Sequence, residues 1–222
     1  MNIKKYKSYT NHNILFVLLL LLSLWSCGSK ENKLPILGER DVTKKTVDGK
    51  EVVDTIYNAI PPFTFTNQYG DTINESVVKG KIYVADFFFT TCPTICPVMK
   101  RQMLKVYDQF KTNSNVMILS HTIDPEHDTP EVLNKFAQDL GIKGEQWQFL
   151  TGPKEKIYEL GLKNYMVVAK EDKGSEGGFL HSGAFILVDK EKHVRGIYDG
   201  TTEEGTKKLI ADMQTLLNEY KL

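Results

Sequence analysis

The chain has 222 residues, which is long enough for one domain with a substantial hydrophobic core and some appended segments. Its 28 basic residues are balanced by 28 acidic residues, so the charge gives no indication of a nucleic-acid partner. Hydrophobic residues make up 41% of the chain, which is ordinary for a soluble globular protein and excludes a largely disordered one.

The N-terminal segment predicts export from the cytoplasm. Three lysines precede an apolar stretch, residues 14–25, which is shorter than the ~20 residues of a membrane span and typical of a signal-peptide core. The end of this stretch, Leu24-Trp25-Ser26-Cys27, resembles a bacterial lipoprotein cleavage box. We therefore predict that residues 1–26 are removed and that lipid on Cys27 holds the protein on the extracytoplasmic side of a membrane. An uncleaved signal anchor and ordinary secretion are the alternatives.

The residues after this box predict a tether followed by one domain. Residues 27–50 are polar and charged without a sustained period, which indicates a flexible tether behind the lipidated cysteine. Residues 51–222 are predicted to form the domain. At its start, segments 52–60 and 63–66 are separated by two prolines and followed by a turn, which predicts a β-hairpin before the main βα unit.

The rest of the domain alternates predicted strands and helices. Residues 81–89 are apolar and β-forming, which indicates a buried central strand. The elements predicted after it are a helix at 97–110, strands at 116–123 and 148–150, helices at 131–140 and 153–162, a strand at 165–169, a hairpin of 184–188 with 194–198, and a helix at 202–220. This order predicts an α/β, thioredoxin-like fold with a central mixed sheet flanked by helices and an N-terminal β-hairpin extension.

Two cysteines lie in the turn between the central strand and the next helix. Pro97 suits the first turn of a helix, and the positive end of the helix dipole favours a thiolate over a thiol. The four-residue spacing brings the Cβ atoms of Cys92 and Cys96 to about 5–6 Å on one helical face. Two such sulfurs can close a disulfide or bind one metal ion. In an oxidising compartment they must be kept reduced by a partner or be protected by metal.

The ligands at hand limit the choice of metal. Structural zinc takes four protein ligands and no second cysteine pair follows, whereas two soft thiolates favour Cu(I). His181 is the strongest candidate for a third ligand, because it ends a glycine-rich loop that lies against the cysteine-bearing helix in a thioredoxin-like fold. The other histidines are expected in the signal segment, in a buried strand or in exposed loops: His12, His121, His127 and His193.

Three motifs together resemble the Sco/SenC family. They are residues 89–97 (FTTCPTICP), residues 122–130 (TIDPEHDTP) and His181-Ser182 before a strand, and the resemblance spans about residues 55–220. It implies a membrane-tethered copper chaperone that binds Cu(I), Cu(II) or both and helps to assemble the binuclear copper centre of cytochrome c oxidase. The implied copper ligands are Cys92, Cys96 and His181. The implied partner is the copper-bearing oxidase subunit or another copper protein.

The sequence does not assign a role to several polar residues near these motifs. The family resemblance carries the loop at Asp124-Pro125 over as a structural and docking element, with Asp124 as a contact behind the metal ligands or a transient contact. His127 stands where arginine is more often expected. Asp86 is a carboxylate inside the central strand and needs a partner there. The loop 170–180 is short and glycine-rich, which leaves open how far it closes over the metal.

The same cysteine pair allows a second function. A thiol–disulfide oxidoreductase would use Cys92 and Cys96 as a redox-active pair to reduce the cysteine pair of the acceptor, and it would depend much less on His181. The three-residue gap is a weaker signal for this chemistry than a C-x-x-C pair. The sequence therefore favours a metallochaperone and leaves enzymatic activity open.

Overall fold

The computed structural model describes residues 33–172 and 174–222. The predicted signal segment and the predicted lipid attachment at Cys27 lie outside these residues. Within them, no helix combines the length and the apolar character that are needed to cross a bilayer.

The described residues contain eleven strands and four α-helices. In chain order the strands are β1 (Arg40–Val47), β2 (Lys50–Tyr57), β3 (Thr64–Asn67), β4 (Thr72–Asn74), β5 (Ile82–Phe88), β6 (Val116–Thr122), β7 (Trp147–Thr151), β8 (Ala169–Glu171), β9 (Phe179–His181), β10 (Ala184–Val188) and β11 (Val194–Asp199). The helices are α1 (Cys96–Phe110), α2 (Pro130–Asp139), α3 (Lys154–Glu159) and α4 (Glu203–Tyr220).

Seven of these strands form the central sheet, in the order β11-β10-β5-β6-β7-β3-β4. Strands β5, β6 and β7 are parallel, and the other pairs are antiparallel. Every residue of β5 and β6 is buried, which is typical of parallel strands with both faces covered. The predicted α/β fold with a mixed central sheet and flanking helices is therefore confirmed.

The predicted site residues lie together at one end of the sheet, where β5 ends. Helix α1 begins with Cys96 shortly after the carboxyl end of β5. Strand β10 runs antiparallel to β5 with Ile186 opposite Ala85, so the start of β10 lies beside the end of β5. Strand β9 ends at His181, just before β10 begins. The topology therefore brings His181 to the edge at which α1 begins.

Part of the predicted tether is a β-strand. Residues Arg40–Val47 form β1 and pair with β2 across a turn in which Asp48 and Gly49 have φ values of 50° and 76°. Positive φ at both central residues defines a type I′ hairpin turn, which explains the Asp-Gly sequence. The predicted N-terminal hairpin is confirmed, but its strands are β1 and β2. The expected partner, β3, pairs instead with β4 and β7.

The predicted strand at 165–169 is also displaced. Met166 has a φ of 58°, which an extended strand does not contain, and the strand begins only at Ala169. The predicted helix at 153–162 ends as an α-helix at Glu159 and continues as a π-helical turn, Leu160–Asn164. This irregular connection leads the chain into β8 and from there to the loop before His181.

A buried ion-pair cluster closes the opposite edge of the sheet. Arg195 in β11 is only 3% exposed, and its guanidinium donates to the carboxylates of Asp189 and Glu219 at 3.0 Å each. It also donates to the carbonyl oxygens of Leu34 at 2.5 Å and Pro35 at 3.1 Å. The predicted tether included these two residues, but the contacts attach them to β11.

Replacing Arg195 by methionine should destabilise the domain. The Asp189 carboxylate is fully buried, and loss of its cation leaves a buried charge unpaired, which costs about 3–5 kcal/mol in the free energy of unfolding. Urea denaturation followed by circular dichroism measures this loss. The control is Lys207→Met, which removes an exposed ion pair with Glu203 and should cost about 1 kcal/mol or less. Equal, small losses in the two variants would contradict the role of the cluster.

Candidate metal centre

The two cysteines lie on the turn that follows β5. The backbone N–H of Cys92 donates to the carbonyl oxygen of Phe89 at 3.3 Å and closes a four-residue turn, and Cys96 is the first residue of α1. Both thiols are free, and the exposed fractions are 6% for Cys92 and 1% for Cys96. The pair is almost entirely removed from solvent, with Cys92 the more accessible of the two.

His181 reaches these cysteines from a distant part of the chain. Its Nε2 atom lies 3.4 Å from the Sγ atom of Cys96 and 3.8 Å from the Sγ atom of Cys92. The three ligand atoms all lie within 4.8 Å of one another. Bonds from a metal to imidazole nitrogen and thiolate sulfur are about 2.0–2.3 Å long. One ion can therefore lie within bonding distance of all three atoms.

The two thiols differ in acidity. Burial opposes ionisation of Cys92, but hydrogen bonds to its sulfur from the backbone and side chains of Cys96 and Thr94 together outweigh it and lower its pKa. Burial raises the pKa of Cys96 well above its ordinary value; a backbone hydrogen bond at Phe89 offsets this only in part, and the neighbouring Cys92 raises it further. Cys92 is therefore the first of the two to become a thiolate.

Packing holds the imidazole of His181. Burial lowers the pKa of His181, and the backbone at Ser182 and Phe87 opposes this effect only in part. The Nδ1 atom has no hydrogen-bond partner among the described residues. The ring of Phe89 meets the imidazole edge-on, with the centroids 5.6 Å apart. The side chain is thus kept as a neutral imidazole, the form that binds metals.

The glycine-rich loop lies directly on the cysteine motif. Gly177 has a φ of 78°, and a Cβ atom at this position would lie 2.9 Å from the ring of Phe89 and 3.3 Å from Pro93. Phe179 packs on the same ring, with the centroids 4.9 Å apart. The part of the loop around Gly177 therefore covers residues 89–93, and it can do so only without a side chain at position 177.

Asp86 has a partner on the next strand. The hydroxyl of Ser120 donates to its carboxylate at 2.5 Å, and the indole N–H of Trp147 donates to the Ser120 hydroxyl at 2.8 Å. Burial raises the pKa of Asp86 to about 7, although the hydrogen bond from Ser120 lowers it in part. Asp86 is not one of the convergent ligand residues in the described part of the chain. Its place is in a buried polar chain that links β5, β6 and β7.

Asp128 is a buried carboxylate near the site that the sequence analysis did not identify. It is fully buried and accepts hydrogen bonds from the backbone N–H of Thr90 at 3.1 Å, from the hydroxyl of Thr122 at 2.5 Å and from the hydroxyl of Thr90. It thus joins the end of β5 to the end of β6, beside the turn that carries Cys92. No local pattern could have shown this, because an aspartate in a charged loop is usually exposed.

Asp124 and His127 lie beside this carboxylate. Burial, with repulsion from Asp128, raises the pKa of Asp124. The Nδ1 atom of His127 lies 3.0 Å from the carboxylate of Asp128, and 51% of the His127 side chain is exposed. Neither Asp124 nor His127 belongs to the group of ligand atoms that converges around the cysteines.

The remaining described histidines are not part of the site. His121 is fully buried in the core, as predicted, and its ring lies 5.2 Å from that of Phe87. Its two ring nitrogens have no hydrogen-bond partner among the described residues, although a satisfied core histidine was expected. The ligand atoms of His193, Asp189 and Glu191 form a second convergent group. This group belongs to the ion-pair cluster. The carboxylate of Asp189 already accepts hydrogen bonds from Arg195 and from the hydroxyl of Tyr220, so it is not free to bind a metal ion.

The part of the chain that carries the site matches known proteins. The family model SCO1/SenC matches residues 54–218. The structure of a SCO1/SenC family lipoprotein from Bacillus anthracis str. Ames is 32% identical, with coverage of 71% of this chain and 94% of that chain and a TM-score of 0.65. BsSco, described as a member of the Sco family of cytochrome c oxidase assembly proteins with a disulfide switch, is 33% identical, with coverage of 72% and 94% and a TM-score of 0.64. Copper-bound ScoI from Bradyrhizobium japonicum is 22% identical, with coverage of 72% and 100% and a TM-score of 0.60, which is a likeness of fold.

We expect Cys92 to react with iodoacetamide before Cys96. The thiolate is the reacting form, and Cys92 has both the lower pKa and the greater exposure. In metal-free, reduced protein at neutral pH, its alkylation should be at least about tenfold faster, since each pKa unit changes the thiolate fraction by a factor of ten. Peptide mapping by mass spectrometry during the reaction measures the two rates. In denaturant the rates should converge, and faster alkylation of native Cys96 would refute the assignment.

A matched pair of glycine substitutions tests the contact of the loop with the cysteine motif. Gly177 and Gly178 have φ values of 78° and 83°, but a Cβ atom meets neighbours only at Gly177. Both alanine variants bear the backbone strain of positive φ, about 1 kcal/mol, and Gly177→Ala should lose a further ~1–2 kcal/mol of unfolding free energy from overpacking. It should also speed alkylation of Cys92, because the loop is displaced. If the two variants lose the same stability and leave alkylation unchanged, the loop does not cover the motif.

Proposed function

The chain belongs to the SCO1/SenC family, and we propose that it is an extracytoplasmic copper-binding protein that takes part in the assembly of cytochrome c oxidase. The observation that carries this proposal is the convergence of two thiols and one imidazole, with His181 Nε2 at 3.4 and 3.8 Å from the two sulfur atoms. BsSco, described as a member of the Sco family of cytochrome c oxidase assembly proteins, supports it.

The donor atoms favour copper over other metals. Cys92 and Cys96 provide soft thiolates, and His181 provides a neutral imidazole nitrogen, a set that selects Cu(I) and also accommodates Cu(II). A structural zinc site would need a fourth protein ligand, and among the described residues no other cysteine, histidine or carboxylate joins the group. A three-ligand site also leaves room for a ligand from another molecule.

The same ligands can retain copper and release it. Because burial lowers the pKa of His181, the imidazole needs no proton loss, whereas Cys96, whose pKa is raised, must release its proton when the ion binds. The copper affinity should therefore fall as the pH decreases, since protons compete for the thiolates. Transfer to an acceptor proceeds by ligand exchange: each bond from copper to an acceptor sulfur or nitrogen replaces one bond to this chain, and no electron is transferred.

The location of this activity follows from the N-terminal segment. We propose that residues 1–26 direct export, that lipid on Cys27 attaches the protein to the membrane, and that the domain acts on the extracytoplasmic side. The SCO1/SenC family lipoprotein from Bacillus anthracis supports this arrangement. The partner would be the copper-bearing subunit of cytochrome c oxidase or another copper protein in the same compartment.

The acidity of Cys92 favours a second candidate, a thiol–disulfide oxidoreductase. The Cys92 thiolate would attack a disulfide of the acceptor, and Cys96 would then displace the second sulfur of the mixed disulfide. Two electrons pass to the acceptor, its two cysteines leave as thiols, and a Cys92–Cys96 disulfide remains. The disulfide switch ascribed to BsSco supports this alternative. An external dithiol must then reduce the chain again.

Copper titration of the wild type and of His181→Ala tests the first candidate. We expect the reduced chain, in detergent, to bind one Cu(I) ion in competition with a chromophoric Cu(I) chelator. His181→Ala should lower the affinity by about 100-fold or more, because even the partners of metal ligands change affinity by 10–100-fold. His193→Ala, in the ion-pair cluster, is the control and should retain the affinity of the wild type.

The outcomes separate the two candidates. Equal affinity of the His181→Ala variant and the wild type would refute the three-ligand site. Weak copper binding by both, together with stoichiometric reduction of a disulfide substrate by copper-free protein, would instead make the redox reaction the main function.

A further inference from the structure

His127 is held in the manner of a metal ligand although it lies outside the ligand group of the copper site. Its Nδ1 atom is 3.0 Å from the carboxylate of Asp128. Because a carboxylate only accepts, Nδ1 carries a proton, and in the neutral ring the lone pair is on Nε2. The hydrogen bond to Asp128 raises the pKa of His127, so a ring in the imidazolium form must first lose its Nε2 proton. The side chain is 51% exposed, and Nε2 makes no hydrogen bond to the described residues. A carboxylate that orients an imidazole in this way is typical of histidines that bind metals.

Asp128 does not need this histidine as a hydrogen-bond donor. Its buried carboxylate already accepts from the backbone and hydroxyl of Thr90 and from the hydroxyl of Thr122. The contact with His127 therefore adds little to the burial of the carboxylate. Its main consequence is the orientation of the imidazole.

The imidazole lies against the turn that carries the more accessible copper ligand. The Nδ1 atom of His127 is 3.5 Å from the hydroxyl of Thr90, and Thr90 is inside the four-residue turn from Phe89 to Cys92. The three copper ligands themselves are only 6%, 1% and 9% exposed. A ligand of a donor or acceptor thus has little access to copper in the site, whereas the His127 side chain, on the turn that carries Cys92, is half exposed.

We propose that His127 is a transient copper ligand at the entrance of the site. The proposal rests on the copper-binding function proposed above. During entry, the Nε2 lone pair forms one bond to copper while a bond to the donor breaks; during release, it replaces the sulfur of Cys92, which leaves as a thiolate. No electron is transferred in either direction, and the Nδ1 proton stays in its hydrogen bond to Asp128.

A transient ligand changes rates and not the equilibrium. His127 is not among the atoms that converge on the resting site, so its bond to copper exists only during passage. An interaction of this kind lowers the barrier equally for entry and release. The rates of loading and unloading should therefore change by the same factor, while the dissociation constant stays the same.

The substitution His127→Arg removes the Nε2 lone pair and keeps a hydrogen-bond donor for Asp128. Arginine can still donate to Asp128, but it has no acceptor atom with which to bind copper. We would measure loading and release by stopped-flow absorbance with full-length, reduced protein in detergent, using the Cu(I) complex of bathocuproine disulfonate as donor and the free chelator as acceptor. Both rates should fall by about tenfold or more, with the dissociation constant and the melting temperature unchanged. His127→Gln should behave in the same way, and His193→Gln, in the ion-pair cluster, should behave as the wild type.

The alternatives give different results. Unchanged rates in His127→Arg and His127→Gln would overturn the proposal. Faster release with a correspondingly weaker dissociation constant would also overturn it, because His127 would then be a ligand of the resting site. A wild-type chain that binds no Cu(I) would refute the proposed function itself, whereas normal binding with unchanged rates would refute only the role of His127.

Discussion

The antiparallel pairing of β10 with β5 is the constraint on which the site depends. This pairing lays the start of β10 beside the carboxyl end of β5, and His181, which comes just before β10, thereby lies 3.4 Å from Cys96. The last four residues of β10 are buried. A shift of the register by one residue would turn each of them to the opposite face, so the packing of the core holds His181 in place beside the cysteines.

In the proposed copper site, burial of Cys92, Cys96 and His181 favours retention of copper and slows its transfer. Removal from solvent keeps His181 neutral and limits competition by water, and the loop at Gly177 lies close against Phe89 and Pro93 of the cysteine motif. The same enclosure prevents the ligands of another protein from reaching the ion easily. The proposed role of His127 removes this difficulty, because its exposed imidazole offers copper a ligand outside the buried site.

Two buried carboxylates secure the two edges of the sheet by different means. Asp128 accepts only hydrogen bonds from neighbouring side chains and backbone, and it connects the ends of β5 and β6 next to the cysteines. Asp189 pairs with Arg195, which also binds the backbone of Leu34 and Pro35. Each carboxylate is fully satisfied, as burial requires. The contacts of Leu34 and Pro35 with Arg195 therefore lie at the end of the sheet opposite to the cysteines.

Local patterns in the sequence determined the elements that carry the site and the types of its ligands. The apolar run of β5, the proline in the first turn of α1 and the spacing of the cysteines all act between near neighbours, and they sufficed to predict the turn and its thiols. The place of His181, at the end of a glycine-rich loop before a predicted strand, made it the candidate for the third ligand, and the family resemblance implied the same residue. The hairpin of β1 and β2 had a local sign in Asp48-Gly49, but its exposed strands lack the alternation that usually reveals them. Only the tertiary structure decided that Asp128 is buried against Thr90, 38 residues away, and that Arg195 reaches Leu34 across 161 residues. These partners meet only when the sheet packs, and at such separations no periodicity or propensity of the chain encodes which buried polar groups will satisfy each other.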